Sequence, residues 1–127
     1  MKEIIAIIRM NMINKTKQAL LENGFPAFHC RKVMGRGKRK VDFTLIEEIL
    51  NLEELQGTKL ETELAEYHRL LPKRLLSIVV QDQDVPKVVE TVIEANRTGS
   101  PGDGKIFVLP VQEIYRVRTG EKNESAL

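Results

Sequence analysis

The chain is poor in the residues that usually hold metals, form disulfides or stack on bases. Its 127 residues include no tryptophan, one cysteine and two histidines. A lone cysteine excludes an internal disulfide framework and fits a reducing compartment, so we expect a cytoplasmic protein. One cysteine and two separated histidines also argue against a thiolate–imidazole metal site within one subunit, and we predict no protein-held metal.

Long apolar runs and a strong net charge are absent as well. No run approaches the roughly 20 apolar residues that span a bilayer, and the amino terminus lacks a signal-peptide layout, so we expect no membrane insertion. The net charge of +2 is too small to indicate nucleic acid as a partner. A content of 42% hydrophobic and 30% charged residues is that of one globular domain, residues 1–127.

Apolar periodicity predicts four strands. The expected segments are Ile4–Ile8, read as a buried strand, then Phe25–Val33, Arg74–Val80 and Lys105–Arg118, the last interrupted by Pro110.

Two helices are predicted between these strands. Asn14 is the expected N-cap of the first, which ends at Asn23-Gly24, and Asp84 is the expected N-cap of the second. The resulting order is the ferredoxin-like βαββαβ arrangement of the α+β class. RNA-binding modules share this order, but they display aromatics on the central strands, and Ile4–Ile8 and Leu75–Val80 contain none.

The most informative segment lies between the second helix and the last strand. Thr98 to Val111 reads Thr-Gly-Ser-Pro-Gly-Asp-Gly-Lys-Ile-Phe-Val-Leu-Pro-Val. Glycines let backbone N–H groups turn toward a ligand, and Lys105 adds a positive charge, which suggests a phosphate cradle. A tight helix-to-strand turn with a solvent-facing lysine explains the spacing equally well. No Ser or Thr follows Lys105, so this is not the Walker pattern.

An unusually long stretch separates Gly35 from Pro72. It opens with the basic residues Arg36, Lys38, Arg39 and Lys40. Thr44–Glu54 then has the pattern of an amphipathic helix, with Thr44 as N-cap and Glu47 completing a capping box. Its leucine-rich stripe packs either on its own protein or on a partner, and the sequence leaves both interpretations open.

Three further strings accompany the glycine-rich segment: Met1 to Arg9, Met-Lys-Glu-Ile-Ile-Ala-Ile-Ile-Arg; Lys32 to Gly37, Lys-Val-Met-Gly-Arg-Gly; and Val117 to Gly120, Val-Arg-Thr-Gly. Together they resemble the PII signal-transduction proteins, the trimeric nitrogen sensors. The resemblance covers nearly the whole chain apart from roughly residues 38–72.

The resemblance implies a trimer whose clefts between subunits bind ATP or ADP. It implies a long T-loop, residues 36–72, inserted between strands 2 and 3, and a C-terminal tail, residues 119–127. Glycine amides and guanidinium groups suit phosphate oxygens. Without the resemblance, Arg116 and Arg118 read as an exposed strand face. The implied nucleotide-binding residues are Gly35, Gly37, Lys38, Thr98, Gly99, Gly102, Asp103, Gly104, Lys105, Arg116 and Arg118.

The resemblance also implies 2-oxoglutarate as an effector, with Lys73 pairing with one of its carboxylates. Arg39 stands where the family has a metal-ligating glutamine, and arginine cannot coordinate a cation. Arg39 could meet a carboxylate directly, and magnesium remains possible with ATP. Tyr67 lacks the context of the family's uridylylated tyrosine. The expected partner-binding residues of the loop are Ile46, Ile49, Leu50, Leu52 and Leu55.

The long, divergent loop is similar to that of PII variants encoded beside nitrogenase in methanogenic archaea. That likeness implies a regulator, a homotrimer or a hetero-oligomer with a paralogue, that inhibits the catalytic nitrogenase component when fixed nitrogen is plentiful. The alternative is a general PII protein acting on glutamine synthetase or an ammonium channel. We predict no enzymatic activity, because no nucleophile lies beside a base, and neighbours such as His29 and Cys30 alternate across a strand.

Overall fold

The computed structural model describes residues 1–37 and 70–127. The chain divides into two compact units, Met1–Val33 with Pro72–Leu127, and Met34–Leu71. In the second unit, Met34 and Gly35 complete one strand and Leu71 begins another. The predicted helix Thr44–Glu54 lies outside the described residues.

Four strands form one sheet in the order β2-β3-β1-β4. The central strand β1 pairs antiparallel with both β3 and β4. This is the predicted ferredoxin-like arrangement, with helices following the first and third strands. The elements are β1 (Lys2–Arg9), α1 (Ile13–Glu22), β2 (His29–Gly35), β3 (Leu71–Val80), α2 (Val85–Asn96) and β4 (Lys105–Pro110).

The hydrophobic core lies between the two helices and one face of the sheet. Alternate residues of β1 are fully buried, and they meet Leu20 of α1 with Val88 and Val92 of α2. Ile5 and Ile7 point to the opposite face and keep partial exposure. The prediction of a buried strand at Ile4–Ile8 is therefore correct for one face only. The core cluster is Ile4, Ala6, Ile8, Leu20, Leu76, Ile78, Val80, Val88 and Val92.

The helix ends confirm some expectations and correct others. A 3-10 turn, Met10–Met12, leads directly from β1 into α1, so the N-cap is Met12 and the expectation of Asn14 is wrong. The expected end is confirmed, because Asn23 caps the helix and Gly24 follows with φ 89°. Asp84 occupies the N-cap position of α2 as predicted, but its side chain makes no capping hydrogen bond.

All four strands have bounds that differ from the prediction. β1 extends beyond the expected Ile4–Ile8 at both ends, and β3 begins at Leu71 instead of Arg74. β2 begins at His29 instead of Phe25, because Pro26 cannot donate to a ladder and Phe25 and Phe28 pack against the core. β4 ends at Pro110, which likewise has no N–H, so the expected extension to Arg118 is wrong. In the described part of the chain, no helix is both long and apolar enough to cross a membrane.

Candidate functional site

The glycine-rich loop, residues 98–104, joins the end of α2 to the start of β4. Its three glycines, Gly99, Gly102 and Gly104, have φ values of 84°, 96° and 120°. A Cβ built on Gly104 would lie 2.2 Å from the backbone oxygen of Ile7. Only glycine allows the loop to approach β1 this closely in this conformation.

The carboxylate of Asp103 closes the loop on itself. Its Oδ2 accepts hydrogen bonds from the amides of Thr98 (2.8 Å) and Gly99 (3.0 Å). Its Oδ1 accepts a short hydrogen bond from the Thr98 hydroxyl. The Thr98 hydroxyl, then the Thr98 amide, and further the Arg9 guanidinium and the Gly99 amide hold the pKa of Asp103 well below its usual range. The amides of Thr98 and Gly99 therefore donate to the chain's own carboxylate at Asp103.

Arg9, the last residue of β1, ties this loop to the sheet. Its Nη1 lies 2.7 Å from Oδ1 of Asp103, and its Nη2 donates to the carbonyl of Pro101 at 3.0 Å. Nothing in the sequence indicates a ligand-site role for Arg9. A basic residue at the end of a strand is too common a feature to single it out, and the partner is 94 positions away.

Two lysines lie near Arg9 in the sheet register. Lys73 of β3 is directly opposite Arg9, and Lys105 of β4 is opposite Ile7. Partners in an antiparallel ladder share a face, so the three basic side chains belong to the sheet face away from the helices. Within residues 1–37 and 70–127, only Arg9 of the three forms an ion pair. This end of the face therefore carries an excess of positive charge, as a multiply charged anion requires.

A cleft of about 460 Å³ adjoins the loop on the helix side of β4. Asp103, Gly104 and Lys105, where the loop joins β4, line it together with Arg97. The remaining lining is mainly apolar, from Ile8, Val89, Val92, Ile93, Ile106 and Val108, with Asn96 beside them. The loop thus borders an apolar cleft on one side and a basic sheet face on the other.

Arg116 and Arg118 do not lie on the last strand, so the expectation of two side chains pointing the same way from β4 is wrong. They belong to a short hairpin in which Arg116 donates its amide to the Glu121 carbonyl at 2.8 Å and accepts from the Gly120 amide at 2.7 Å. The Arg116 guanidinium forms an ion pair with Glu121 at 3.1 Å, while Arg118 is exposed in the turn. Among the described residues, no hydrogen bond or ion pair joins either arginine to the glycine-rich loop of the same subunit, so their role in nucleotide binding stays a prediction.

The other predicted site residues fall in or beside the second unit. Gly35 ends β2 and Gly37 follows it, and neither has a crowded Cβ position or a positive φ. Among the described residues, no group of three or more acidic, histidine or cysteine side chains is arranged to hold a metal ion. The predicted residues Lys38, Arg39, Ile46, Ile49, Leu50, Leu52 and Leu55 lie outside the described part of the chain.

Comparisons with known proteins agree on one family. The family model of nitrogen regulatory protein P-II matches residues 1–121. A "Nitrogen fixation nifHD region GlnB-like protein 2" of Methanothermococcus thermolithotrophicus is 51% identical, over 100% of this chain and 98% of its own length. A protein of the same description from Methanothermobacter marburgensis is 42% identical, with full coverage of both chains.

A solved structure extends the agreement from sequence to fold. The crystal structure of Arabidopsis thaliana PII bound to citrate matches with a TM-score of 0.71 at 32% identity, and the match covers 98% of this chain and 87% of that one. The glycine-rich loop and β4 both lie within the residues that the family model matches. The chain therefore belongs to the P-II family of nitrogen regulatory proteins.

Proposed function

We propose that this protein is an ATP- or ADP-binding sensor of 2-oxoglutarate that regulates nitrogen fixation by binding the catalytic component of nitrogenase and inhibiting it when fixed nitrogen is plentiful. The observation that carries the proposal is the glycine-rich loop, already folded beside Arg9, Lys73 and Lys105. The names of the methanogen relatives, which place them in a nitrogen fixation region, favour this target over glutamine synthetase or an ammonium channel.

The phosphates of the nucleotide would lie against the second half of the loop. The amides of Thr98 and Gly99 are occupied by Asp103, so the donors left for phosphate are those from Gly102 onward and the exposed ammonium of Lys105. Backbone amides and a lysine are a common combination for phosphate oxygens. Thr98 and Gly99 would then shape the loop rather than contact the ligand, while Gly35, Gly37 and Lys38 would contribute from the base of the T-loop.

A trimer is consistent with membership of the P-II family and would complete the site. The sheet face away from the helices carries Ile5, Ile7 and Leu75, and Phe107 is 48% exposed there. Burial of this face between subunits would place the loop of one subunit near the hairpin of the next. Arg116 and Arg118, on that hairpin, would then reach the phosphates of a neighbour's nucleotide. A paralogue could take the place of one or two subunits.

Lys73 is the proposed partner of a 2-oxoglutarate carboxylate. It lies opposite Arg9 in the sheet, and no carboxylate of the described residues pairs with it. Citrate, bound in the Arabidopsis structure, is another small polycarboxylate. Asp103 is the one carboxylate among residues 98–105, and both of its oxygens accept hydrogen bonds, so we assign it no role as a magnesium ligand. Magnesium would enter with ATP, held by the phosphates.

Calorimetry with Mg-ATP tests the nucleotide site. We expect the double variant Lys105→Ala, Arg118→Ala to lose on the order of 3–6 kcal/mol of binding free energy, because two charge-assisted phosphate contacts disappear. The exposed Lys17→Ala on α1 serves as the control and should bind as the wild type does. Unchanged affinity in the double variant would contradict the assignment.

The effector loop requires a separate test. A pull-down from nitrogen-fixing cells, with and without 2-oxoglutarate, should capture the catalytic nitrogenase component only in its absence. Ile49→Asp or Leu52→Asp should weaken capture and leave nucleotide affinity nearly unchanged. Replacement of residues 38–69 by a short Gly-Ser connection should leave an assembled protein that no longer holds its target. Normal inhibition of nitrogenase by that loopless protein would show the effector-arm proposal to be wrong.

A further inference from the structure

Arg9 makes three contacts with the glycine-rich loop from outside it. Its Nη1 contacts Asp103 at 2.7 Å and the Thr98 hydroxyl at 3.5 Å, and its Nη2 contacts the Pro101 carbonyl at 3.0 Å. A Cβ on Gly102 would lie 3.4 Å from the same Nη2. The guanidinium therefore holds both ends of the Pro101–Asp103 turn against the end of β1.

We infer that Arg9 is a positioning residue for nucleotide binding: it acts through Asp103 to hold the glycine-rich loop in its phosphate-accepting shape. The inference rests on the proposed nucleotide site and adds a residue outside the glycine-rich motif. Arg9 is not assigned a contact with the nucleotide, because its terminal nitrogens already bond to the loop.

Three glycines give the loop a wide choice of backbone conformations, so an unrestrained loop would lose entropy when a ligand orders it. Hydrogen bonds within the protein restrict the loop backbone before any ligand binds. Asp103 accepts hydrogen bonds from the amides of Thr98 and Gly99, and an ion pair with Arg9 connects Asp103 to the end of β1. A binding surface ordered in advance gains affinity because less order remains to be imposed on binding.

The contact geometry predicts how two substitutions differ. Arg9→Met keeps the approximate length of the side chain but removes all three hydrogen bonds to the loop, so the loop should become more mobile. Arg9→Lys keeps the charge, but one ammonium group cannot reproduce the planar fork that reaches Asp103 and Pro101 together. The matched control is Arg31→Met on β2, an exposed arginine without an ion pair among the described residues.

The experiment combines Mg-ATP calorimetry with hydrogen exchange measured by NMR on the assembled full-length protein. In Arg9→Met we expect faster exchange at the Thr98 and Gly99 amides, unchanged protection in β3, and ATP binding weaker by about tenfold or more, which corresponds to about 1.4 kcal/mol. Arg9→Lys should lie between Arg9→Met and the wild type, and Arg31→Met should match the wild type. In an Asp103→Asn background, Arg9→Met should weaken binding by less than about twofold further, since the two residues act as a unit.

The possible failures are distinguishable. A wild-type protein that does not bind ATP overturns the proposed function together with this inference. Wild-type binding that survives unchanged in Arg9→Met overturns the inference alone. The inference is also overturned if β3 loses protection together with the loop, or if Arg9→Met weakens binding as much in the Asp103→Asn background as in the wild type, because Arg9 would then support the fold in general.

Discussion

Single residues decide whether the glycine-rich loop can form, and Gly104 is the most constrained of them. Its φ of 120° lies in a region that side chains rarely adopt, and its Cβ position is 2.2 Å from the Ile7 carbonyl oxygen. We expect Gly104→Ala to destabilise the protein by at least about 3 kcal/mol, because backbone strain and a clash with β1 add together.

The matched control is Gly120→Ala in the C-terminal turn. Gly120 has a φ of 72°, but nothing lies within 4 Å of its Cβ position. Its substitution should cost only about 1–2 kcal/mol, the usual cost of a left-handed conformation. Urea unfolding of both variants at one protein concentration measures the difference. If both variants lose the same free energy of unfolding, the short distance between the Gly104 Cβ position and the Ile7 carbonyl oxygen is not the reason that position 104 requires glycine.

Asp103 should make stability depend on pH in the acid range. Its pKa in the folded protein is lowered from the ordinary value of 3.8, first by the Thr98 hydroxyl. The ionised Asp103 carboxylate therefore contributes its full stabilisation of the folded protein at pH values above the ordinary pKa of 3.8. That contribution is lost as the pH falls toward the lower pKa of the folded state. The stability difference between the wild type and Asp103→Asn should stay constant from roughly pH 5 to pH 7 and shrink below about pH 4.

Thermal unfolding across this range measures that difference. Asp82 and Glu113 also have lowered pKa values, through the N-terminal ammonium group and the Tyr115 hydroxyl respectively. Both groups are present in the wild type and in Asp103→Asn, so their effects cancel in the comparison. A difference that grows as the pH falls below about 4 would contradict the predicted sign.

At the scale of elements, one buried amide joins the two helices. Asn96 is 4% exposed, and its Nδ2 donates to the Thr16 hydroxyl of α1 at 2.9 Å and to the Val92 carbonyl at 2.9 Å. Thr16→Val should lower the free energy of unfolding by about 1–2 kcal/mol, because a buried hydrogen bond between the helices is lost. The double variant with Asn96→Ala should cost less than the sum of the single variants by roughly 0.5 kcal/mol or more.

Thr91→Val supplies the control for this cycle. Thr91 is also buried, but its hydroxyl bonds to the Lys87 carbonyl within α2 and not to the other helix. Its effect should add to that of Asn96→Ala within about 0.5 kcal/mol. Denaturant unfolding measures these free energies. If the effects of Thr16→Val and Asn96→Ala are equally additive, the hydrogen bond between the two helices does not contribute to stability.

At the scale of the whole molecule, the open sheet face is the proposed subunit interface. Phe107 is 48% exposed on β4, directly opposite Ile5. A charge in the middle of an apolar interface is costly to bury, so Phe107→Asp should convert the trimer into folded monomers at micromolar concentration. Light scattering coupled to size exclusion measures the mass, and circular dichroism reports whether the monomer remains folded.

Leu21→Asp is the corresponding control on the helix side. Leu21 of α1 is 56% exposed and lies on the layer that covers the other face of the sheet. This variant should remain trimeric. A trimer that persists in Phe107→Asp, or one that is lost equally in both variants, would place the subunit interface elsewhere.

The sequence by itself determined the order of the elements, the glycine-rich loop and the family. The order of the elements and the loop follow from local properties: hydrophobic period, the absence of an N–H in proline, and the freedom of glycine at positive φ. The family follows instead from the resemblance of whole motif strings, such as Thr98 to Val111. The structure confirms the order and the fold in its described part, and the family comparison confirms the resemblance. The bounds of β2 and β4 were less predictable, because pairing with a neighbouring strand decides where a ladder ends.

Only the tertiary structure decided which side chains meet. Arg9 and Asp103 are 94 positions apart, and their ion pair depends on the register of β1 against β4 and on the path of the loop between them. The turn that takes Arg116 away from a strand face depends in the same way on hydrogen bonds to Glu121 and Gly120. The sequence shows which charged and polar side chains the protein has. The distances between side chains that are far apart in the sequence depend on strand register, because packing of the core fixes the strands relative to one another.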